Sequence, residues 1–521
     1  MKAGLLDREA KLLRKRALRE HAVLSASDTA VCDAYAVECG VASFSLMQTA
    51  GARLAEAILQ RWGKRPALIA CGPGNNGGDG YICAARLLAA GWPVTVAAME
   101  DPELLKGDAR KAYLTWGGPV QSVENSDPSS FGLIVDALFG AGLDRPLTGA
   151  VAEFCQRVNA SSGVVVAVDL PSGQKGDAAE AEGPVIAADL TITFHTAKPA
   201  HLLEPAASAC GEVVVADIGI PDGWDDRAAP VALRNSPALW AEELPVTGTQ
   251  SHKHQRGRLL VFTGGFSSTG AGRLAGEAGL RAGAGLVTLA SPLDAVPINA
   301  AQSTAVMVRP WADGHESEAI VQACRADVAV IGPGAGIGAG TKQAIESLLT
   351  ARARAVLDAD ALTSYENDLP ELLDSLRPDD VLTPHVGEFR RIFPGILEAS
   401  AHKLEAACEA AQLAGCTVLL KGPDTVIAAP RRSAVINRHA SPALATAGSG
   451  DVLAGLIGGL MAQGMGGFDA ACAAAWLHGD AGLRIGTGLT AERLLEAIGP
   501  ARNALDARLR RQSVQQRLLA G

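Results

Sequence analysis

No apolar run in this chain reaches the roughly 18 residues needed to cross a bilayer, so no membrane span is expected. Cys-x-x-Cys spacing is also absent. The ten cysteines are scattered singly between Cys32 and Cys472, behind no signal peptide, which predicts buried, reduced thiols in a cytoplasmic protein. An excess of basic residues is missing as well. The net charge of −10 argues against a nucleic-acid or membrane-surface role, although a local basic pocket for a phosphorylated small molecule stays open. Aromatic residues are scarce at 4%, whereas glycine reaches 58 residues, a balance suited to α/β domains with tight turns. The halves share no repeat, and there is no low-complexity tract.

The length of 521 residues exceeds what one hydrophobic core serves, so two domains are expected. Residues 1–24 read as a basic amphipathic helical extension, with Arg8, Lys11, Arg14, Lys15, Arg16 and Arg19 set among Leu and Ala. It is taken as a solvated extension or an oligomer contact, and a homo-oligomer is expected. Residues 25–230 and 231–510 are the two predicted domains, with a linker from about Pro221 to Pro245. In each, β-rich runs alternate with helical patterns, predicting two α/β domains with mostly parallel sheets. Strands are expected at Ala67–Cys71, Val94–Ala98, Leu133–Asp136, Val164–Asp169, Leu190–Phe194 and Val213–Asp217. In the second half they are expected at Arg258–Thr263, Leu286–Leu289, Val328–Ile331, Ala355–Leu357, Val381–Thr383 and Thr417–Leu420.

Ligands gather where such strands end. Gly72-Pro73-Gly74-Asn75-Asn76-Gly77-Gly78-Asp79-Gly80 follows a strand and opens a helix, so its backbone N–H groups can wrap a diphosphate. Asp136 ends one strand and precedes Gly140-Ala141-Gly142-Leu143-Asp144-Arg145-Pro146. Asp169 ends another and precedes Pro171-Ser172-Gly173. Oxygens of Asn76, Asp136 and Ser172 suit a hard cation such as K⁺, and Asp169 stands beside them as an acid/base candidate. A turn-capping role for either aspartate is the plain alternative.

In the second half the segment Thr446-Ala447-Gly448-Ser449-Gly450-Asp451 precedes a helical run. Its small residues can close on an anion, and Asp451 is placed either as a catalytic base or as an ordinary N-cap. Lys421-Gly422-Pro423-Asp424-Thr425 supplies a cation and polar atoms for nucleotide phosphates. Asp358 and Asp360 suit Mg²⁺ or its waters. His385, between Pro384 and Val386-Gly387, is a site candidate, and Gly334 and Ala271 lie in small-residue turns that allow close ligand approach.

Read in order, these motifs resemble the bifunctional NAD(P)H-hydrate repair enzyme family. The N-terminal stretch of Asn75–Gly80, Val135–Leu143 and Val168–Gly173, with Thr193-Phe194, Lys198-Pro199 and Asp217–Pro221, is similar to its epimerase domain. The C-terminal stretch of His252-Lys253, Gly332–Gly334, Asp358–Ala361, Leu382–Glu388, Lys421–Thr425 and Ala445–Gly455 is similar to its dehydratase domain. The resemblance implies a Rossmann-like epimerase of hydrated NADH and NADPH fused to a ribokinase-like, ADP-dependent dehydratase. It implies epimerase substrate contacts at Asn75–Asp79, Gly140–Pro146 and Asp169, and K⁺ at Asn76, Asp136 and Ser172. It further implies dehydratase substrate contacts at Ala271, Gly334, His385 and Asp451, with ADP held by Lys421–Thr425 and Gly450, and Mg²⁺ as the second metal. A small-molecule kinase in the second half, joined to a non-catalytic binding module in the first, is the alternative.

Overall fold

The computed structural model describes residues 15–246, 252–312, 316–351 and 353–520. Most of the basic N-terminal stretch therefore lies outside the described residues. The chain divides into two compact units, one from Leu18 to Leu233 and the other holding the chain from Arg234 on.

In the first unit a seven-stranded sheet runs in the order Val120–Ser122, Val94–Ala98, Ala67–Cys71, Leu133–Ala137, Val164–Val168, Leu190–Phe194 and Glu212–Ala216. Every neighbouring pair is parallel. Parallel strands are covered on both faces, which is why Ala67–Cys71 can be apolar at every position and fully buried. Chain order reverses between Ala67–Cys71 and Leu133–Ala137. At such a switch point the connections leave in opposite directions and open a crevice at the carboxyl ends. The Asn75–Ala89 helix starts there. Gly77 is obligatory in its first turn, because a Cβ would sit 1.9 Å from the carbonyl oxygen of Gly72.

The expected strand through Asp169 stops one residue earlier. Asp169 has φ of 63° and leaves the sheet, a left-handed conformation that aspartate tolerates better than most residues. Residues in and beside the expected linker make side-chain bonds. Arg19, on a short helix where the first unit begins, pairs with Asp222 at 2.8 Å and Asp225 at 2.6 Å. Asn235 donates to the Asn437 side chain at 2.9 Å and to the Cys472 carbonyl at 2.8 Å.

In the second unit the parallel strands run in the order Thr417–Leu420, Val381–Leu382, Arg354–Leu357, Val328–Ile331, Arg258–Phe262, Leu286–Pro292 and Met307–Trp311. Thr425–Ala428 and Val435–Asn437 add antiparallel partners beyond Thr417–Leu420; sequence patterning had not marked these two as strands. Here the order reverses between Arg258–Phe262 and Val328–Ile331. The helix Ser449–Ala462 is apolar nearly all round and buried from Val452 onward. It lies directly on the helix Thr269–Ala282 because Gly455 has no side chain: a Cβ there would meet the Ala275 carbonyl oxygen at 2.1 Å. All ten cysteines are free thiols.

Gly455→Ala is therefore expected to push these helices apart and to cost about 1–3 kcal/mol of stability. Urea denaturation of the full chain reads this directly; a variant as stable as the parent would contradict the close contact.

Candidate functional sites

In the first unit the crevice is a cavity of about 630 Å³. Asn75, Asn76, Asp79, Gly140, Ala141, Gly142, Leu143 and Asp169 line it, as do Asp33, Met47 and Lys198. The other expected contact residues are elsewhere: Gly77 and Gly78 are buried within the helix packing, and Asp144, Arg145 and Pro146 lie outside the cavity lining.

Asp169 is fixed on every side. Its Oδ1 receives the Lys198 ammonium at 2.7 Å and the Thr193 hydroxyl at 2.9 Å, while Oδ2 receives the Ala141 N–H at 2.9 Å. Lys198 is 1% exposed. Burial alone would raise the Asp169 pKa, but Lys198 overrides it and holds the carboxyl down to about 2. His201 completes the clamp. Its Nδ1 accepts from the Lys198 N–H at 2.9 Å, which leaves Nε2 to donate to the Asp169 carbonyl at 2.7 Å. Burial and Lys198 lower its pKa to about 4, so the ring is neutral. Asp169 is thus a permanent anion with its lone pairs engaged, better suited to facing positive charge than to giving up a proton.

Asp136 is fully buried and differs in kind. Ser172 donates its hydroxyl to Oδ1 at 2.6 Å and its N–H to Oδ2 at 2.7 Å. Among the described residues no basic side chain pairs with it, and burial raises its pKa to about 6. Asn76 lines the cavity from the Asn75–Ala89 helix, with its Oδ1 against Gly140 on the Asp169 side and its Nδ2 buried without a hydrogen-bond partner among the described residues; no contact joins it to Asp136. A buried carboxylate short of a counter-charge, beside hydroxyl and amide groups, has the donor chemistry of a hard monovalent cation site.

The second unit gathers its charges where three strands end and one helix begins. Lys421 follows Thr417–Leu420 and places Nζ 2.6 Å from Asp358 Oδ1 and 3.7 Å from Glu388 Oε2. Burial opposes this ammonium, yet Asp358, Glu388 and Asp451 raise its pKa above the ordinary value. Asp451 lies in the first turn of Ser449–Ala462, whose cap Gly448 has φ of 82°. Burial, then Asp358, raises Asp451 to about 6, with Lys421 partly offsetting. A Cβ built on Gly450 falls 3.6 Å from Lys421 Nζ, so the small-residue turn and the lysine face one space. Asp360 accepts from the Gly336 N–H at 2.9 Å.

His385 is the N-cap of Val386–Ile392. Its Nδ1 accepts from Gly387 and Glu388 N–H at 2.9 and 3.2 Å, and Glu388 Oε2 returns a bond to the His385 N–H at 2.8 Å. The ring therefore works structurally while remaining about half exposed, at 53%. Gly334 and Ala271 meet: a Cβ on Gly334 would lie 3.5 Å from that of Ala271. Of the lysine loop, Asp424 turns away, buried against Lys403 at 2.8 Å, and Thr425 closes the turn by donating to the Gly422 carbonyl at 2.8 Å. Among the described residues no three His, Cys, Asp or Glu side chains form a metal cage. One or two carboxylates completed by phosphate oxygens are, however, the usual setting for Mg²⁺.

Three participants escaped the sequence reading. Glu388 is buried at the Lys421 pair. The pairing of Lys198 with Asp169 was hidden, although a lysine placed just after a buried strand was a visible signal. Asp33 lies on the helix Ala26–Glu38, and nothing in its local pattern marks it.

The two units define a two-domain α/β protein whose charged side chains gather where parallel strands end. The family model described as NAD(P)H-hydrate dehydratase matches residues 259–498, and that described as YjeF-related protein N-terminus matches residues 43–200. The bifunctional NAD(P)H-hydrate repair enzyme of Moorella thermoacetica is 38% identical over 85% of this chain and 88% of its own length. That of Escherichia coli is 35% identical over 80% of this chain and 79% of its own. An ADP/ATP-dependent NAD(P)H-hydrate dehydratase from Bacillus subtilis, co-crystallised with ATP and Mg²⁺, matches with 26% identity, 52% coverage of this chain, 98% of that chain and a TM-score of 0.44. The chain belongs to the bifunctional NAD(P)H-hydrate repair enzyme family. That membership leaves the kinase-plus-binding-module alternative without support. No helix among the described residues is long and apolar enough to cross a membrane.

Removing Lys198 leaves Asp169 an uncompensated buried charge, so Lys198→Met is expected to cost about 3–5 kcal/mol at neutral pH. Folded Asp169 titrates at about 2, below the unfolded value of about 3.9. Its contribution is complete above the unfolded value and lost as pH falls through the folded one. The deficit of the variant should therefore shrink as pH falls from about 4 towards 2, read from urea midpoints across that range.

Proposed function

We propose that this chain repairs hydrated nicotinamide nucleotides: its first domain interconverts the R and S epimers of hydrated NADH and NADPH, and its second dehydrates the S epimer at the expense of ADP. The observation that carries the reading is the grouping of Asp451, Lys421 and Asp358 at the open N-terminus of an apolar helix. Asp451, with its raised pKa, takes the proton from the hydroxyl at C6 of the hydrated ring. That oxygen attacks the terminal phosphoryl group of ADP, releasing AMP. Lys421 and the N–H groups of the Gly448–Gly450 turn face the charge that develops on the phosphoryl oxygens. Loss of the C6 phosphate together with a ring proton restores the dihydronicotinamide. Mg²⁺, when bound, supplies positive charge to the nucleotide phosphates, and Asp358 and Asp360 are the carboxylates near enough to hold it or its waters. His385, Gly334 and Ala271 border the place where the hydrated ring enters, and Lys421–Thr425 with Gly450 border the nucleotide.

In the first domain Asn75, Asn76, Asp79 and Gly140–Leu143 surround the hydrated nucleotide, and Asp169 supplies a fixed negative charge. Asn76, Asp136 and Ser172 fit K⁺, which provides the counter-charge that Asp136 lacks. The acidic balance of the chain, a net charge of −10, supports a small-molecule substrate over nucleic acid, and a cytoplasmic, homo-oligomeric enzyme completes the reading.

Asp451→Asn should lower S-epimer dehydration with ADP by about 10²–10⁴-fold. In the parent, the rate should fall as pH drops through about 6, where Asp451 takes up its proton. Near-normal turnover of the variant would remove Asp451 from the role of base. Transfer to potassium-free buffer should slow epimerisation and leave the epimerase cavity's partner reaction, dehydration, at its original rate. Unchanged epimerisation would remove the cation from the account.

A further inference from the structure

The cavity of the first unit contains a carboxylate that no motif announced. Asp33 projects from the helix Ala26–Glu38 and lines the same space as Asp169 and Lys198. The two acids are held in opposite ways. Asp169 has its oxygens occupied by Lys198, Thr193 and the Ala141 N–H. Asp33 has no hydrogen bond or ion pair among the described residues, so its oxygens are open to whatever fills the cavity. We propose that Asp33 is the proton-exchanging catalytic residue of the epimerase site, and that Asp169 acts beside it as a fixed anion.

This assignment rests on the epimerase reading given above and makes its chemistry specific. To invert C6, the C6–O bond breaks as the lone pair of ring N1 forms a C6=N1 double bond. The departing oxygen takes the proton of the Asp33 carboxyl and leaves as water. The ring then carries a positive charge, and the permanently ionised Asp169 is its counter-charge. Water adds to the opposite face of C6, the C6=N1 electron pair returns to N1, and the proton shed by the adding water restores the Asp33 carboxyl through solvent. No other co-reactant is needed, and atoms and charge balance over the cycle.

The electrostatics of the site support this division. Packing of its helix over the cavity raises the Asp33 pKa to about 6 although the residue keeps an exposed face, with Lys198 opposing and Asp169 adding to the rise. Paired acids whose pKa values are driven apart in one site take different roles, one proton-exchanging and one fixed. The charged groups around Asp33 are Asp79, Asp108, Asp169 and Lys198 across the cavity, with Asp28 and Cys32 on its own helix. Asp79 is also pushed up, by burial first and then by Asp169 and Asp33. However, it is 8% exposed within the Asn75–Ala89 helix, whereas Asp33 is open to the cavity.

The test uses the full chain and the chromatographically purified R epimer of hydrated NADH, following conversion to the S epimer above the spontaneous rate. In the parent, the rate should fall as pH rises through about 6, because a donor needs its proton. Asp33→Asn should lose about 10²–10⁴-fold in rate with little change in KM, and should lose that pH dependence. Asp33→Glu should restore part of both. Two results would overturn the assignment: Asp33→Asn retaining its rate within about threefold, or losing rate while keeping the parent pH dependence. A parent no faster than the spontaneous reaction would instead refute the epimerase reading itself.

Discussion

A charge placed at the end of a buried parallel strand must either meet a nearby counter-charge or be pushed towards its neutral form, and both sites depend on that constraint. Water cannot reach these positions freely, so an unpaired carboxylate is costly and tends to take up a proton. In each unit one buried lysine meets the need: Lys198 for Asp169 and Lys421 for Asp358. Neither pair is a surface ornament of marginal worth. Each sets how much negative charge is left over for chemistry.

What is left over differs, and so do the chemical characters of the sites. In the first unit Lys198 is spent on Asp169, which becomes a strong-acid anion, and Asp33 and Asp136 remain short of counter-charge. In the second, Lys421 faces Asp358, Glu388 and Asp451 together, and burial, then Asp358, raises Asp451 to about 6 with only partial offset from that lysine. One residue type is tuned in two directions by burial and by how far a nearby cation offsets it. In the proposed reactions the helix N-terminus at Ser449–Asp451 and the fixed Asp169 carboxylate are complementary devices: one would receive developing negative charge, the other would face positive charge.

Much of this was legible in the sequence. The central strands could be read because parallel strands are apolar runs ended by glycine or acid, and that punctuation also marked Asp136, Asp169, Asp358 and Lys421 as residues at sheet edges. The short strands Val120–Ser122 and Val435–Asn437 were not legible, since three residues hold too little pattern to separate from a loop. The cavity role of Asp33 was invisible because it depends on how a helix far off in sequence packs over the sheet. Its near neighbour Tyr35 bonds the Asp222 carbonyl instead, so no helical periodicity separates the two roles. Asp424 and His385 show the converse limit: a motif names a residue type, but the side chains here turn to Lys403 and to a helix cap. Only the packed chain decides which atoms remain free for a ligand.

The central claim is that one chain carries both reactions. It is tested most directly by supplying an equilibrated mixture of R- and S-hydrated NADH with ADP, Mg²⁺ and K⁺, and following the return of dihydronicotinamide absorbance. The account predicts complete recovery in a single enzyme-dependent course. Recovery that stops at the S fraction and then creeps at the spontaneous epimerisation rate would contradict it.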